Sequence, residues 1–231
     1  LFPYTTLFRS VPFLSKATGY PLADIATKVI LGKSLKEQGI DMIYPKEKKR
    51  WYVKAPAFSF AKLNGMDAYL SPEMKSTGEA IGYDNKLNRA LYKALQASNM
   101  NIQNYGTVLA TIADKDKEEA LPLIRRFYQL GFNIEATKGT ADFLKEHGIR
   151  TRTKQKLSDG SEEIFESIRQ GYVSYVINTR DINSTSSSSD GQEIRQCAVE
   201  NNVTVFTALD TVKVLLDVLE ETTLTISTID A

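Results

Sequence analysis

The run TVLATI at residues 107–112 predicts a buried strand, because β-branched and apolar side chains fill it without interruption. A helical pattern with Leu121, Ile124 and Phe127 on one face follows it and ends at Gly131. The unit then recurs, with strands predicted at 132–136, 150–153, 173–178 and 203–206, and helices near 140–147, 161–170, 190–201 and 209–220. Five βα units in about 120 residues predict an α/β fold, Rossmann-like, with a parallel five-stranded sheet flanked by helices.

Residues 11–98 show a less regular pattern. A helix is predicted from Leu22 to just before Gly39, a strand at 51–53 and a second helix at 85–98. Because two helices and a few strands bury little apolar surface, this stretch predicts an incomplete α+β segment of a larger domain. We therefore expect two parts, residues 11–98 and residues 99–231.

Two short segments stand outside this pattern. The first ten residues, LFPYTTLFRS, have neither the charged and apolar regions of a signal peptide nor an Arg-rich amphipathic pattern. They resemble a sequencing adapter read through in translation, so residues 1–10 are expected to be an artefact. The Ser-rich run 184–189 predicts a flexible loop between the fourth strand of the sheet and its helix.

The overall charge excludes several classes of partner. With 29 basic and 28 acidic side chains, the net charge of +1 gives no field that attracts nucleic acid or an anionic membrane. The single cysteine excludes a disulfide scaffold and a Cys-rich zinc site. No apolar run approaches the roughly 20 residues that span a bilayer. We expect a soluble, cytoplasmic protein that binds neither nucleic acid nor membrane.

Polar side chains collect where the predicted parallel strands end. These ends share one edge of an open sheet, where helix N-termini offer free backbone N–H groups to anions. The turn TKGT at 137–140 supplies two hydroxyls and a glycine that permits close approach of a ligand to the backbone. The residues expected at this edge are Thr111, Lys117, Thr137, Gly139, Thr140, Lys156, Asn178 and Thr179.

No acid, base or nucleophile constellation accompanies these residues. His147 is the only histidine and is expected as an ordinary residue at a helix C-terminus, so a Ser-His-Asp triad would have to use this one residue, and a His-rich metal site is excluded. Asp114 and Asp116 are expected to cap a helix, and Cys197 to pack in the core. The sequence therefore assigns no catalytic residue and no metal ligand.

Two long segments carry a family resemblance. VPFLSKATGYPLA at 11–23 and PEMKSTGE at 72–79 resemble the large subunit of carbamoyl-phosphate synthase. The resemblance continues through 131–132, 136–141 and 175–179, and so covers nearly everything from residue 11 to the last helix. It implies that residues 11–98 are the end of the second ATP-grasp module, which forms carbamoyl phosphate. Residues 99–231 would be the methylglyoxal-synthase-like (MGS-like) regulatory domain.

The resemblance implies a role in a glutamine-hydrolysing ligase. The complete enzyme makes carbamoyl phosphate from bicarbonate, ammonia and ATP, with Mg²⁺ or Mn²⁺, for pyrimidine and arginine synthesis, and a small glutaminase subunit is its partner. The family's ATP and metal residues lie directly ahead of the VPF segment, where the decapeptide stands here. This chain is therefore expected to bind no cofactor and to be inactive alone.

The resemblance also implies an effector. UMP or IMP would bind the regulatory domain, with Lys117, Thr137, Thr140 and Lys156 at the phosphate, and Asn178 and Thr179 near the ribose or base. The family's ornithine site is not matched, since Ala55 and Val205 stand near its acid and tyrosine positions, and Arg180 replaces a threonine. We expect control by a pyrimidine nucleotide without activation by ornithine.

Two other functions remain open from the sequence. One is a free-standing methylglyoxal synthase, a lyase whose family needs aspartates and a histidine in the pocket, for which His147 is misplaced. The other is a structural module in which the hydroxyls at the strand ends are only helix caps and no ligand binds.

Overall fold

A computed structural model describes residues 3–41, 49–62, 67–70, 74–180 and 187–224. The chain divides into two compact units: Leu1–Ala57 with Gly78–Ser98, and Phe58–Thr77 with Asn99–Ala231. The predicted boundary at residue 98 is one of the points where the chain passes between units. The segment 58–77, which the sequence placed with the N-terminal part, groups with the C-terminal sheet.

The first unit is a mixed α and β segment. Its elements are α1 (Pro3–Thr18), α2 (Leu22–Ile30), β1 (Trp51–Ala57), β2 (Gly78–Asp84) and α3 (Leu87–Ala97). α1 begins within the decapeptide that was expected to be foreign. The prediction that α2 reaches Gly39 is wrong, because Gly32 adopts a φ of +93° and the amides of residues 31–33 bond the last carbonyls of the helix.

The strands of the first unit form an antiparallel pair covered by α3. β1 pairs with β2 from Trp51 opposite Asp84 to Ala57 opposite Gly78. β2 was not predicted from the sequence. A Cβ atom on Gly82 would lie closer than 3.0 Å to backbone atoms of Ala90 and Ala94, both fully buried in α3. Glycine at this position therefore allows the helix to pack directly on the strand.

The second unit is a parallel five-stranded sheet with the order β5-β4-β3-β6-β7. This arrangement confirms the predicted α/β fold with helices flanking the sheet. Its elements are β3 (Thr107–Thr111), α4 (Lys117–Gln129), β4 (Asn133–Thr137), α5 (Lys138–Glu146), β5 (Thr151–Lys154), α6 (Glu163–Arg169), β6 (Val173–Asn178), α7 (Ser187–Glu200), β7 (Thr204–Phe206) and α8 (Leu209–Leu224).

Successive side chains of the central strand β3 enter different cores. Val108 and Ala110 pack in a cluster with residues of α4, α5 and α8, whereas Leu109 packs with residues of α6 and α7. This alternation follows from the two-residue period of a strand. The sheet is therefore covered by helices on both faces.

The predicted serine-rich loop is wrong in part. Ser187, Ser188 and Ser189 belong to the first turn of α7, and residues 184–186 lie outside the described residues. Among the helices that the structure describes, none has both the length and the apolar character that crossing a membrane requires.

Candidate functional site

The topology brings the ends of the central strands to one place. From β3 the chain winds outward through β4 to β5, and then crosses to the other side of β3 to form β6 and β7. β3 is therefore flanked by β4 and β6, and the winding direction reverses at this point. In open α/β sheets, such a switch point at the carboxyl edge is where ligands bind.

Two of the predicted threonines close this edge by hydrogen bonds to the backbone. Thr140 Oγ accepts from the Ile112 N–H and donates to the Ile112 carbonyl, each over 3.3 Å. Thr179 Oγ accepts from the Ala113 N–H over 2.9 Å. The segment after β3 is thereby tied to the start of α5 on one side and to the end of β6 on the other.

The buried amide of Asn178 continues the same network. Its Nδ2 donates to Thr111 Oγ over 2.6 Å, and Thr111 Oγ donates in turn to the Ile177 carbonyl over 3.4 Å. The Oδ1 atom of Asn178 accepts a hydrogen bond from Arg195 Nη1. Asn178 is only 4% exposed, so these bonds satisfy an amide that is largely removed from solvent.

Lys117 places a positive charge over the start of α5. Its Nζ donates to the Gly139 carbonyl over 2.9 Å and forms an ion pair with Asp114 at 2.6 Å. The hydrogen bond and charge of Lys117, together with the charge of Lys156, hold the pKa of Asp114 below its usual range. Asp114 is almost fully exposed, so an incoming anion can displace it from Lys117.

The N-terminus of α5 has unused donors beside this lysine. Thr137 is the N-cap residue with extended backbone angles, yet its hydroxyl makes no capping hydrogen bond. The first amides of a helix have no acceptor within the helix, which leaves the N–H groups of Lys138, Gly139 and Thr140 available. The Thr137 hydroxyl and these amides are therefore available donors of the candidate site, and the Lys117 ammonium, paired with exposed Asp114, lies beside them.

Gly139 is not required by the backbone at its position. Its φ lies outside the left-handed region, and a Cβ atom there would sit 3.6 Å from Lys117 Nζ, an ordinary contact distance. A methyl group would therefore fit the protein but would occupy the space in front of Lys117. This space is where an anion held by Lys117 and the first turn of α5 would lie.

Lys156 is positioned at the rim rather than in the network. It precedes a short turn at Leu157–Asp159 that follows β5, and its side chain is exposed. The Ser158 N–H donates to Asp190 Oδ2 of α7 over 3.0 Å, which anchors this turn. The charge of Lys156 helps to lower the pKa of Asp114, so Lys156 lies within electrostatic range of that carboxylate.

The sequence missed a buried arginine that contacts the site. Arg195 on α7 is 2% exposed, and besides Asn178 it binds both carboxylate oxygens of Asp67, each over 2.7 Å. One signal was available, since Arg195 lies between Ile194 and Ala198, which belong to the core face of α7. No comparable pattern in the sequence pointed to Asp67. The segment 58–77, in which it lies, was predicted to belong to the N-terminal part of the chain.

The remaining titratable candidates lie away from the site or differ from expectation. His147 caps the C-terminus of α5 with Nδ1 2.8 Å from the Phe143 carbonyl, and Cys197 is buried, both as predicted. Burial raises the pKa of the Cys197 thiol. The prediction that Asp114 and Asp116 cap a helix is wrong: Asp116, the N-cap of α4, makes no side-chain capping bond, and Asp114 pairs with Lys117.

Residues 119–207 match the family model of the MGS-like domain. This stretch runs from α4 to β7, so the second unit contains an MGS-like domain. Six of the predicted site residues lie within the match, and two, Thr111 and Lys117, precede it. The six are Thr137, Gly139, Thr140, Lys156, Asn178 and Thr179.

Proposed function

We propose that the MGS-like domain is the effector domain of a carbamoyl-phosphate synthase large subunit and binds a nucleoside monophosphate such as UMP or IMP. In the complete enzyme, this subunit would act with a glutaminase partner that supplies ammonia. The long VPFLSKATGYPLA and PEMKSTGE segments support this assignment over other MGS-like proteins. The main support is the set of donors at this edge: the Thr137 hydroxyl and the first amides of α5, which have no partner within the helix, and the Lys117 ammonium, whose ion-pair partner Asp114 is exposed.

The phosphate would lie in front of the N-terminus of α5. Backbone N–H groups of Gly139 and Thr140 and the Thr137 hydroxyl would donate to its oxygens, aided by the positive end of the helix dipole. The Lys117 ammonium would exchange its exposed partner Asp114 for the phosphate, and Lys156 would add a second positive charge at the rim.

The four remaining residues have a different part in this proposal. The hydroxyls of Thr111, Thr140 and Thr179 and the amide of Asn178 already bond within the protein, so they build the edge. Asn178 and Thr179 stand at the end of β6, next to β3, where the ribose or base would extend from the phosphate. The amide of Asn178 retains one N–H and one lone pair for that part of the ligand.

The ATP-grasp chemistry of the complete enzyme is not assigned to this chain. Among the residues that the structure describes, no group of three or more His, Cys, Asp or Glu side chains could hold a metal ion. The described residues therefore do not fit a site for Mg²⁺ or Mn²⁺. We propose that this chain contributes the regulatory site of the complete enzyme.

Regulation would act through linkage between the effector and the synthetase part. The segment 58–77 belongs to the second unit, yet it is flanked in the chain by β1 and β2 of the first unit. A ligand that stabilises one arrangement of the second unit would therefore bias the two strands connected to it. Allosteric coupling of this kind amounts to about 1–3 kcal/mol.

Gly139→Ala tests the proposal with little effect on folding. The added methyl group fits the protein and suits a helix, so we expect an unchanged or slightly raised thermal midpoint. In isothermal titration with UMP and IMP, the variant should bind about tenfold or more weakly than wild type, because the methyl group occupies the phosphate position. Lys117→Ala should weaken binding to a similar degree.

Lys145→Ala is the matched control for charge, since Lys145 is an exposed lysine in the last turn of the same helix. It should bind UMP as wild type does. Wild-type protein that binds neither nucleotide would contradict the proposal and favour the structural module without a ligand. Equal binding by wild type and Gly139→Ala would contradict the assigned phosphate position.

The lyase alternative is disfavoured by the position of the only histidine. His147 follows the last residue of α5, a nine-residue helix, so it lies roughly 13 Å from the free amides at the other end. Formation of methylglyoxal from dihydroxyacetone phosphate by the purified chain would favour the lyase. We expect no activity above that of a His147→Ala control.

A further inference from the structure

A buried guanidinium connects the candidate site to the segment 58–77. Arg195 uses all three of its nitrogens: Nε and Nη2 donate to the two carboxylate oxygens of Asp67 over 2.7 Å each, and Nη1 donates to Asn178 Oδ1. The Arg195 side chain is 3% exposed and that of Asp67 is 22% exposed. The pair therefore has little competition from water, and its geometry is well defined.

The chemistry of this contact determines how the Asn178 amide is oriented. A guanidinium only donates hydrogen bonds, so the side of Asn178 that faces Arg195 must be its carbonyl oxygen. The amide nitrogen then faces Thr111 Oγ, to which it donates over 2.6 Å. If the amide were turned, its N–H groups would oppose the guanidinium and Thr111 would lose its donor.

Asp67 is itself held in place by its own segment. The Tyr69 N–H donates to Asp67 Oδ1 over 3.0 Å, and Lys75 Nζ donates to the carbonyls of Asp67 and Tyr69 over 3.3 and 2.6 Å. The Tyr69 ring centroid lies 5.5 Å from Cζ of Arg195. The carboxylate is thus presented to Arg195 by a local network rather than by a freely moving side chain.

We infer that Asp67 and Arg195 are positioning residues of the nucleotide site, an inference that rests on the function proposed above. Asp67 fixes the guanidinium of Arg195, which fixes the carboxamide of Asn178 in one orientation. The part of the ligand that would contact the Asn178 carboxamide is the uncharged nucleoside half, the ribose or base, because the donors to the phosphate lie on α5 and Lys117. Gly191 leaves room for this contact, since a Cβ atom there would lie 3.1 Å from Arg195 Nη1.

A change at Asp67 should affect binding of the nucleoside half of the ligand and spare binding of the phosphate half. Asp67→Asn removes one partner of the ion pair and frees Arg195 to move, while the donors on α5 and Lys117 stay unchanged. In titrations of the full chain, UMP affinity should fall about tenfold, and the affinity for inorganic phosphate should stay within about twofold. Equal losses for both ligands, or an unchanged UMP affinity, would overturn the inference.

A second pair of variants shows whether Asp67 acts through Asn178. If it does, Asp67→Asn combined with Asn178→Ser should weaken UMP binding no more than Asn178→Ser alone. Additive losses would overturn the inference. Asp67→Glu keeps the charge but displaces the guanidinium. It should also lower the affinity for UMP and leave the affinity for inorganic phosphate unchanged. If Asp67→Asn does not fold, Asp67→Glu takes its place in the test. Wild-type affinity of Asp67→Glu for UMP would overturn the inference.

Failure of this inference and failure of the proposed function have different signatures. If wild type binds neither UMP nor inorganic phosphate, the proposed function fails and the inference fails with it. If wild type binds UMP, and the Asp67 variants bind it equally well, the inference fails alone. Lys117→Ala should lower the affinity for UMP and for inorganic phosphate together, whereas Asp67→Asn should lower the affinity for UMP only.

Discussion

The hydroxyl of Thr140 binds both backbone groups of Ile112, accepting from its N–H and donating to its carbonyl over 3.3 Å each. Thr140 lies in the first turn of α5, and Ile112 is the first residue after β3. A single side chain thus joins the end of one strand to the helix that follows its neighbour. Thr140 is 2% exposed and Ile112 is 8% exposed, so both residues of this contact are largely shielded from water.

Thr140→Val should therefore destabilise the second unit. It replaces the hydroxyl by a methyl group of similar volume and leaves the Ile112 N–H and carbonyl without that partner, at a cost of about 1–3 kcal/mol. Urea unfolding, monitored by circular dichroism, would measure this difference. Thr140→Ser keeps the hydroxyl and should lose less stability. Equal stability of Thr140→Val and wild type would show that the two bonds contribute nothing.

Gly82→Ala should destabilise the first unit, because the new methyl group would meet the backbone of Ala90 and Ala94 at less than 3.0 Å. Overpacking of this kind costs roughly 1–3 kcal/mol. Gly78→Ala in the same strand is the control, since its Cβ would lie 3.7 Å from Ala57 Cβ, an ordinary contact. Proteolysis of the first unit should accelerate in Gly82→Ala only. Equal rates for the two variants would contradict the close packing of α3 on β2.

Tyr175 should titrate later than an ordinary tyrosine. Its hydroxyl exchanges hydrogen bonds with the Gln103 backbone, at 2.7 Å from N and 2.6 Å to the carbonyl, and burial raises its pKa to about 12. Because the folded pKa exceeds the unfolded value of 10.0, this contribution to stability is complete below pH 10 and is lost as the pH rises toward 12. Tyrosinate absorbance should show a late step that disappears in Tyr175→Phe. An unchanged titration curve would contradict the burial of this hydroxyl.

Asp67 should make the second unit sensitive to acid. Burial raises the pKa of Asp67, but the hydrogen bonds from Arg195 and the Tyr69 amide outweigh this effect and hold the pKa below 3.8. A lowered folded pKa stabilises the protein above the unfolded value, and this stabilisation disappears as the pH falls through the folded value. The difference in unfolding free energy between wild type and Asp67→Asn should therefore shrink between pH 5 and pH 3. A constant difference would show that the ion pair does not lower this pKa.

The fold of the second unit followed from the sequence because its signals are local. Most strands of that unit are short, largely apolar runs, with β5 (TRTK) the exception, and the helices that follow them carry an apolar face. The burial of residues such as Leu109 and Phe127 can therefore be predicted from the sequence. The parallel topology then placed Thr111, Thr140 and Asn178 at one edge, as expected. Their mutual hydrogen bonds were beyond prediction, since these depend on distances between strands that sequence spacing does not give.

Other features of the chain depended on contacts that leave no local signal. β2 contains Gly78 and Gly82, residues that disfavour a strand unless a helix packs directly on it. The pairing of Asp67 with Arg195 joins residues 128 positions apart, and Asp67 lies in a segment that changes units. The early end of α2 depends on the left-handed conformation of Gly32. Because glycine is common near helix ends, its presence in the sequence did not show at which residue this helix stops.

The most direct test of the central claim, that an anion binds at the carboxyl edge in front of α5, is an NMR titration of the ¹⁵N-labelled chain with inorganic phosphate. We expect saturable shifts of the Lys138, Gly139 and Thr140 amides, and none at Gly106 or Gly171, which precede strands at the opposite edge. The same titration of Gly139→Ala should leave those amides unchanged. Shifts confined to the opposite edge, or equal in both proteins, would contradict the account.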